Sequence, residues 1–141
     1  MLKSKSFNEL KTGDTESLTL TLSESRIKAF AEATGDHNPI HMDEDYAAST
    51  PFKKRVAHGV MLTGIVSGIL GTGLPGLGTV ARQMNAKFKN PAFIGDSVTA
   101  SVTLKKKNER SQICEFTYKV TNQDGKILVR GSASVIPKRE E

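Results

Sequence analysis

Two kinds of hydrophobic periodicity follow one another along the chain, and their order predicts the fold class. Leu18, Leu20 and Leu22 alternate with Thr19 and Thr21, as in a half-buried strand. Ser23 or Ser25 is placed to cap the helix that follows, in which Ile27, Phe30, Ala31 and Thr34 fall at helical spacing. Gly35 stands where a left-handed cap would end that helix. Residues 35–78 are punctuated by Gly and Pro and hold all three histidines. Within them, Asp43 is placed to cap a short helix through Tyr46, Ala47 and Ala48, and Pro51 ends that unit. A longer helix is predicted from about His58 to Gly71. Its apolar positions are Met61, Leu62, Ile65, Val66, Ile69 and Leu70, with so few polar residues that it reads as buried nearly all round. Gly59, Gly64 and Gly68 each cost roughly 1 kcal/mol against alanine in a helix interior, which predicts a second backbone close by.

From residue 79 to 137 period two returns. Val98, Ala100, Val102 and Leu104 share one face, as do Cys114, Phe116, Tyr118 and Val120. Ile127, Val129, Gly131, Ala133 and Val135 form the next strand. Asn108-Glu109-Arg110 reads as a hairpin turn, and Asp124-Gly125 predicts a type I′ turn. The whole is α+β: an antiparallel sheet of about five strands wrapped around one long buried helix, in a single domain over 1–141. Five strands do not close a barrel, so their edges predict a homodimer that continues the sheet.

The composition narrows the function classes. With 37% hydrophobic and 25% charged residues the chain is globular, and no apolar run approaches the roughly 18 residues of a membrane helix. MLKSKSFNEL has no apolar signal region, so a cytoplasmic location is the expectation. One cysteine, Cys114, excludes an intrachain disulfide and reads as a small core residue. Three histidines without a second cysteine make no zinc pattern, and neither a metal nor a cofactor is expected. The net charge of +5 gathers at Lys53-Lys54-Arg55, Lys105-Lys106-Lys107 and Lys138-Arg139. None of these clusters carries the interleaved aromatics of a nucleic-acid surface. They read as solvated charges, or as contacts for an anionic small molecule; coenzyme A, with three phosphates, fits.

The chemistry concentrates in Thr34-Gly35-Asp36-His37-Asn38-Pro39-Ile40-His41. Pro39 forbids a regular helix across Asp36 to His41; a carboxylate and an imidazole flank this proline-stiffened turn, and bent together they can converge on one water, as acid–base work near neutral pH requires. Asn38 is placed to pin the loop through its amide. On spacing alone a plain turn is the favoured reading, because Gly, Asp, Asn and Pro are turn formers. Downstream, Val56-Ala57-His58-Gly59-Val60 starts the long helix. The amides of a helix's first turn are free and sit at its positive end, so Gly59 suits an oxyanion donor. His58 reads as a capping or packing residue that supports such a site.

Phe30 through Ala48, with Gly35-Asp36-x-Asn38-Pro39-x-His41, resembles the signature of the MaoC-like (R)-specific enoyl-CoA hydratases. Ala57-His58-Gly59, Gly71-Thr72-x-Leu74-Pro75-Gly76 and Phe88-x-x-Pro91-x-Phe93-x-Gly95-Asp96-x-Val98 look like later segments of that family, so the likeness runs from about residue 10 to 136. The resemblance implies a hot-dog fold with an overhanging segment before the helix. It also implies a hydro-lyase in which Asp36 and His41 activate water and the Gly59 amide holds the thioester carbonyl. The substrate it implies is trans-2-enoyl-CoA, hydrated to (R)-3-hydroxyacyl-CoA. Dehydration of a 3-hydroxyacyl carrier-protein thioester, thioester cleavage and non-catalytic acyl-thioester binding are the alternatives. Two positions depart from the family pattern. Gly64 stands where the hydratases commonly have a serine that orients the aspartate. Arg82 stands where many have a small residue near the acyl channel, and it would narrow that channel or contact a carboxylate or phosphate.

Overall fold

The computed structural model describes residues 2–139. A 3-10 turn, Phe7–Glu9, precedes strand β1 (Thr15–Thr21) and helix α1 (Glu24–Thr34). Two short helices, α2 (Pro39–Met42) and α3 (Glu44–Ala48), form an overhang before the long helix α4 (Gly59–Thr72). Strands β2 (Val80–Met84), β3 (Lys87–Phe88), β4 (Ser97–Lys107), β5 (Cys114–Thr121) and β6 (Ile127–Ile136) follow. All pairings are antiparallel, in the order β1-β4-β5-β6-β2, with β3 also on β6. This is the hot-dog arrangement the sequence predicts.

The sheet has six strands where about five are expected, because the last one is interrupted. Residues 80–84 and 87–88 both pair with β6, and Asn85 breaks the line between them. There the Asn85 carbonyl accepts from the Tyr118 hydroxyl at 2.6 Å and its amide donates to Ser132 O at 3.0 Å. Asn85 O crosses so close to Gly131 that a Cβ there would meet it at 2.1 Å, which explains a glycine inside β6.

Period two becomes burial directly. Val98, Ala100, Val102, Leu104, Cys114, Phe116, Tyr118 and Val120 all point into the core beside Leu62, Val66 and Ile69 of α4. Removing such side chains from water contributes about 1.5–3 kcal/mol each. Cys114 is one of them, and burial pushes its thiol up to about 11.

Three local expectations change. The hairpin at Asn122–Lys126 has positive φ only at Gly125, with Gly125 N donating to Asn122 O at 3.0 Å. It is therefore a type I turn closed by a left-handed glycine, not type I′. Helix α4 is not buried all round: the sheet covers one side and leaves Val60, Gly64, Ser67 and Gly68 exposed. Among the described residues nothing outside the helix's own backbone comes within 4 Å of a Cβ built at Gly64 or Gly68, so no second backbone among them packs there. Finally, Pro39 does not keep the 36–41 segment non-helical but starts α2 at its first position, where the missing N–H is harmless. No helix among the described residues is long and apolar enough to cross a membrane.

Candidate active site

The site is built from the ends of three helices. Ser23 caps α1, its hydroxyl accepting from Arg26 N, and Gly35 ends it in the left-handed conformation (φ 78°). The chain then folds on itself through side-chain caps. Asp36 Oδ1 accepts from Asn38 N at 3.2 Å, and Asn38 Oδ1 accepts from Ile40 N at 3.1 Å. Asn38 thus pins the loop as its position suggests and launches α2. One turn later His41 faces back toward Asp36, and the five-residue separation becomes 3.9 Å between His41 Nε2 and Asp36 Oδ2.

The His41 tautomer follows from its other nitrogen. Nδ1 lies 2.8 Å from the Val56 carbonyl, which can only accept, so Nδ1 carries the hydrogen. In the neutral ring Nε2, 3.9 Å from Asp36 Oδ2, therefore holds the lone pair. His41 is largely shielded, at 13% side-chain exposure, whereas Asp36 stands at 48%.

His58, the N-cap of α4, lies beneath the pair. Its ring packs between Phe30 (centroids 4.8 Å) and His41 (4.0 Å, planes 31° apart). Its Nε2 donates to the Asp36 carbonyl at 3.0 Å, while Nδ1 is buried with no partner among the described residues. Burial holds its pKa below the ordinary imidazole value, against the opposing effect of the Asp36 carbonyl; the neighbouring imidazoles add to the lowering. His58 packs against the pair and is only 2% exposed. Asp36, His41 and His58 each offer one possible metal-ligating atom, and these lie within 4.8 Å of one another.

His41 and Gly59 border a cavity of about 400 Å³, with Phe52, Leu62, Phe88 and Lys89 among its walls. The Phe88 ring covers Gly59: a Cβ there would meet Cε1 at 2.8 Å. Gly59 N is the first amide of α4 and has no acceptor within the helix. A mainly apolar cavity with a few converging polar groups is the usual form of a small-molecule site. Phe52, Phe88 and Lys89 were not singled out as site residues from the sequence. The Phe88-x-x-Pro91 segment was the only signal pointing to that wall.

The basic residues separate. Lys53, at positive φ (67°), and Lys54 are exposed beside Phe52, and Lys54 Nζ lies 4.4 Å above the Phe93 ring. Arg55, expected at the surface with them, is buried: it pairs with Glu24 through two bonds of 2.8 and 3.0 Å and donates from Nε to His41 O at 2.7 Å. That corrects its expected role as a substrate contact. Arg82 is exposed on β2 and is not among the residues that line this cavity. Gly64 lies on the open side of α4, with free space at its Cβ position.

Residues 7–125 match the model of the MaoC like domain. The chain belongs to this family. It is 42% identical over 134 residues to an (R)-specific enoyl-CoA hydratase of Rhodospirillum rubrum, covering 94% of this chain and 92% of the relative. Among solved structures it is similar to the (R)-hydratase from Aeromonas caviae involved in PHA biosynthesis, with TM-score 0.89 and 35% identity over 92% of this chain and 98% of that one. An R-hydratase from Pseudomonas aeruginosa superposes with TM-score 0.93 and 32% identity over 99% and 89% of the two chains.

Proposed function

We propose that this MaoC-like chain is an (R)-specific enoyl-CoA hydratase, a hydro-lyase that adds water across trans-2-enoyl-CoA to give (R)-3-hydroxyacyl-CoA, reversibly. The observation that carries the reading is the 3.9 Å between His41 Nε2 and Asp36 Oδ2 beside a cavity that His41 and Gly59 share. One water at about 2.8 Å from both atoms bridges them at an angle near 90°, and can donate one hydrogen to each. Its oxygen lone pair is then free for C3.

The steps follow from that placement. The Gly59 N–H polarises the thioester carbonyl, and one such donor is typically worth about 3 kcal/mol in a transition state. As the water oxygen bonds to C3, one water proton passes to His41 Nε2, and the C2–C3 π electrons move onto the thioester as an enolate. The imidazolium, still bonded through Nδ1 to Val56 O, returns that proton to C2 on the same face. Asp36 holds the second water hydrogen, which leaves with the product hydroxyl. His41 and Asp36 end as they began, and no cofactor enters. Lys53 and Lys54, with Lys89 on the cavity wall, are the cations we assign to the coenzyme A phosphates.

We also assign a homodimer, supported by the uncovered face of α4 and the open edges of β1 and β2, and a cytoplasmic location. Light scattering and cell fractionation test these. For the activity, enoyl absorbance of crotonyl-CoA is followed with wild type, Asp36→Asn and His41→Ala, with chiral analysis of the product. Each variant is expected to lose at least about 10²-fold. Unchanged hydration in both variants overturns the site, and the (S)-product overturns the stereochemistry. Faster turnover of carrier-protein thioesters than of CoA thioesters favours the dehydratase reading, which the same residues would serve.

A further inference from the structure

Helix α2 has four residues, too few to hold itself together, so the position of His41 is set from outside the helix. The segment 55–56 does this with three hydrogen bonds. Val56 N donates to Ile40 O at 3.2 Å, His41 Nδ1 donates to Val56 O at 2.8 Å, and Arg55 Nε donates to His41 O at 2.7 Å. The first two use backbone atoms of Val56. The third depends on a side chain, and it fills the carbonyl that the end of α2 leaves without a helical partner.

The rest of the guanidinium is anchored too. Nη1 and Nη2 fork onto the two Glu24 oxygens at 2.8 and 3.0 Å, and Glu44 Oε1 lies 3.7 Å from Nη1. Arg55 is only 8% exposed. Such a cation is stable out of water only when its donors are matched, and here all three nitrogens are. The planar fork sets the direction of Nε as well as its distance, which a lysine ammonium cannot do. Arg55 therefore connects the first turn of α1 to the carbonyl of His41, while its neighbour holds the His41 ring.

We infer that Arg55, braced by Glu24, is the positioning residue for His41: it sets the register of the Nε2 lone pair against Asp36 without touching substrate. This rests on the hydratase reading of the Asp36–His41 pair. A misplacement of about 1 Å at a reacting group can cost about 10²-fold in rate.

The test compares wild type with Arg55→Met and Glu24→Gln. In Arg55→Met, kcat on crotonyl-CoA is expected to fall about 10- to 100-fold with KM changed less than about twofold. In Glu24→Gln, kcat falls less, about 3- to 10-fold, again at constant KM, and the double variant is no worse than Arg55→Met because both act through one link. A rise in KM at constant kcat, as for a phosphate contact, overturns the inference, and so does an unchanged kcat in both variants. Histidine ring nitrogens followed by NMR give a readout that needs no turnover. Wild type is expected to hold His41 in the Nδ1–H form, and Glu24→Gln to admit the Nε2–H form; an unchanged tautomer together with an unchanged kcat overturns the inference. Should Arg55→Met fail to fold, Glu24→Gln, at a half-exposed carboxylate, decides alone. Should wild type hydrate no enoyl thioester, the hydratase reading fails while the tautomer measurement still decides whether Glu24 and Arg55 position His41.

Discussion

His41 Nε2 and Asp36 Oδ2 stand 3.9 Å apart, too far for a direct hydrogen bond and close enough for one water to span. The gap is produced by two short caps, Asp36 Oδ1 on Asn38 N and Asn38 Oδ1 on Ile40 N, which turn the chain between the two residues.

Lengthening the carboxylate should therefore damage catalysis even though the charge is kept. In Asp36→Glu the extra methylene brings the acid onto the imidazole and leaves no place for the water. Activity is expected to drop about 100-fold, with an unchanged circular dichroism spectrum and at most a few degrees' fall in melting temperature from the disturbed Asn38 cap. Near-wild-type turnover would mean that the spacing is not what matters.

Gly59→Ala tests the contact with Phe88. The new methyl would lie 2.8 Å from Phe88 Cε1, so the exposed ring must swing away or into the cavity. We expect kcat/KM to fall on the order of tenfold, with little change in stability because the ring has solvent to move into. Adding Phe88→Ala should restore part of the loss; no recovery would place the damage at the amide itself.

The depressed pKa of His58 makes stability depend on pH. Its folded value lies below the ordinary one of about 6.5, so in mildly acid solution the unfolded chain binds a proton that the buried ring refuses. The contribution is fully present above pH about 6.5 and is lost as pH falls from there through the lower folded value. Urea midpoints for wild type and His58→Gln should diverge least in that acid window and most above it. Parallel midpoints across the range would contradict this.

Gly131→Ala should be severely destabilising. Its Cβ would lie 2.1 Å from Asn85 O, a backbone atom held by the Tyr118 hydroxyl and so unable to yield cheaply. We expect a loss of about 3 kcal/mol or more, or roughly 10 °C in Tm. Thermal melts measure it, and a shift under a few degrees would show that the crossing relaxes.

Much of this molecule is legible in its residues because the deciding interactions are local. Alternation assigns Val98–Leu104 and Cys114–Val120 to strands, since neighbouring side chains on a strand face opposite sides. Ser23, Gly35 and Asp43 mark helix ends, since a cap spans two or three residues. The Gly35-Asp36-x-Asn38-Pro39-x-His41 segment, with Gly59 at a helix start, also pointed to the pair that the fold brings together.

What tertiary structure alone decided lies where partners are far apart in sequence. Arg55 sits beside two exposed lysines and looks like a third, yet Glu24, 31 residues away, turns it inward against His41. Phe88 meets Gly59 because β3 pairs with β6, and β3 breaks from β2 because Asn85 crosses Gly131. Helix α4 is apolar enough to be buried all round, but one sheet covers only one side of it. No periodicity within a window of a few residues carries that information: it depends on the path of the chain between the partners, and so on which buried charges and carbonyls that path leaves to be satisfied.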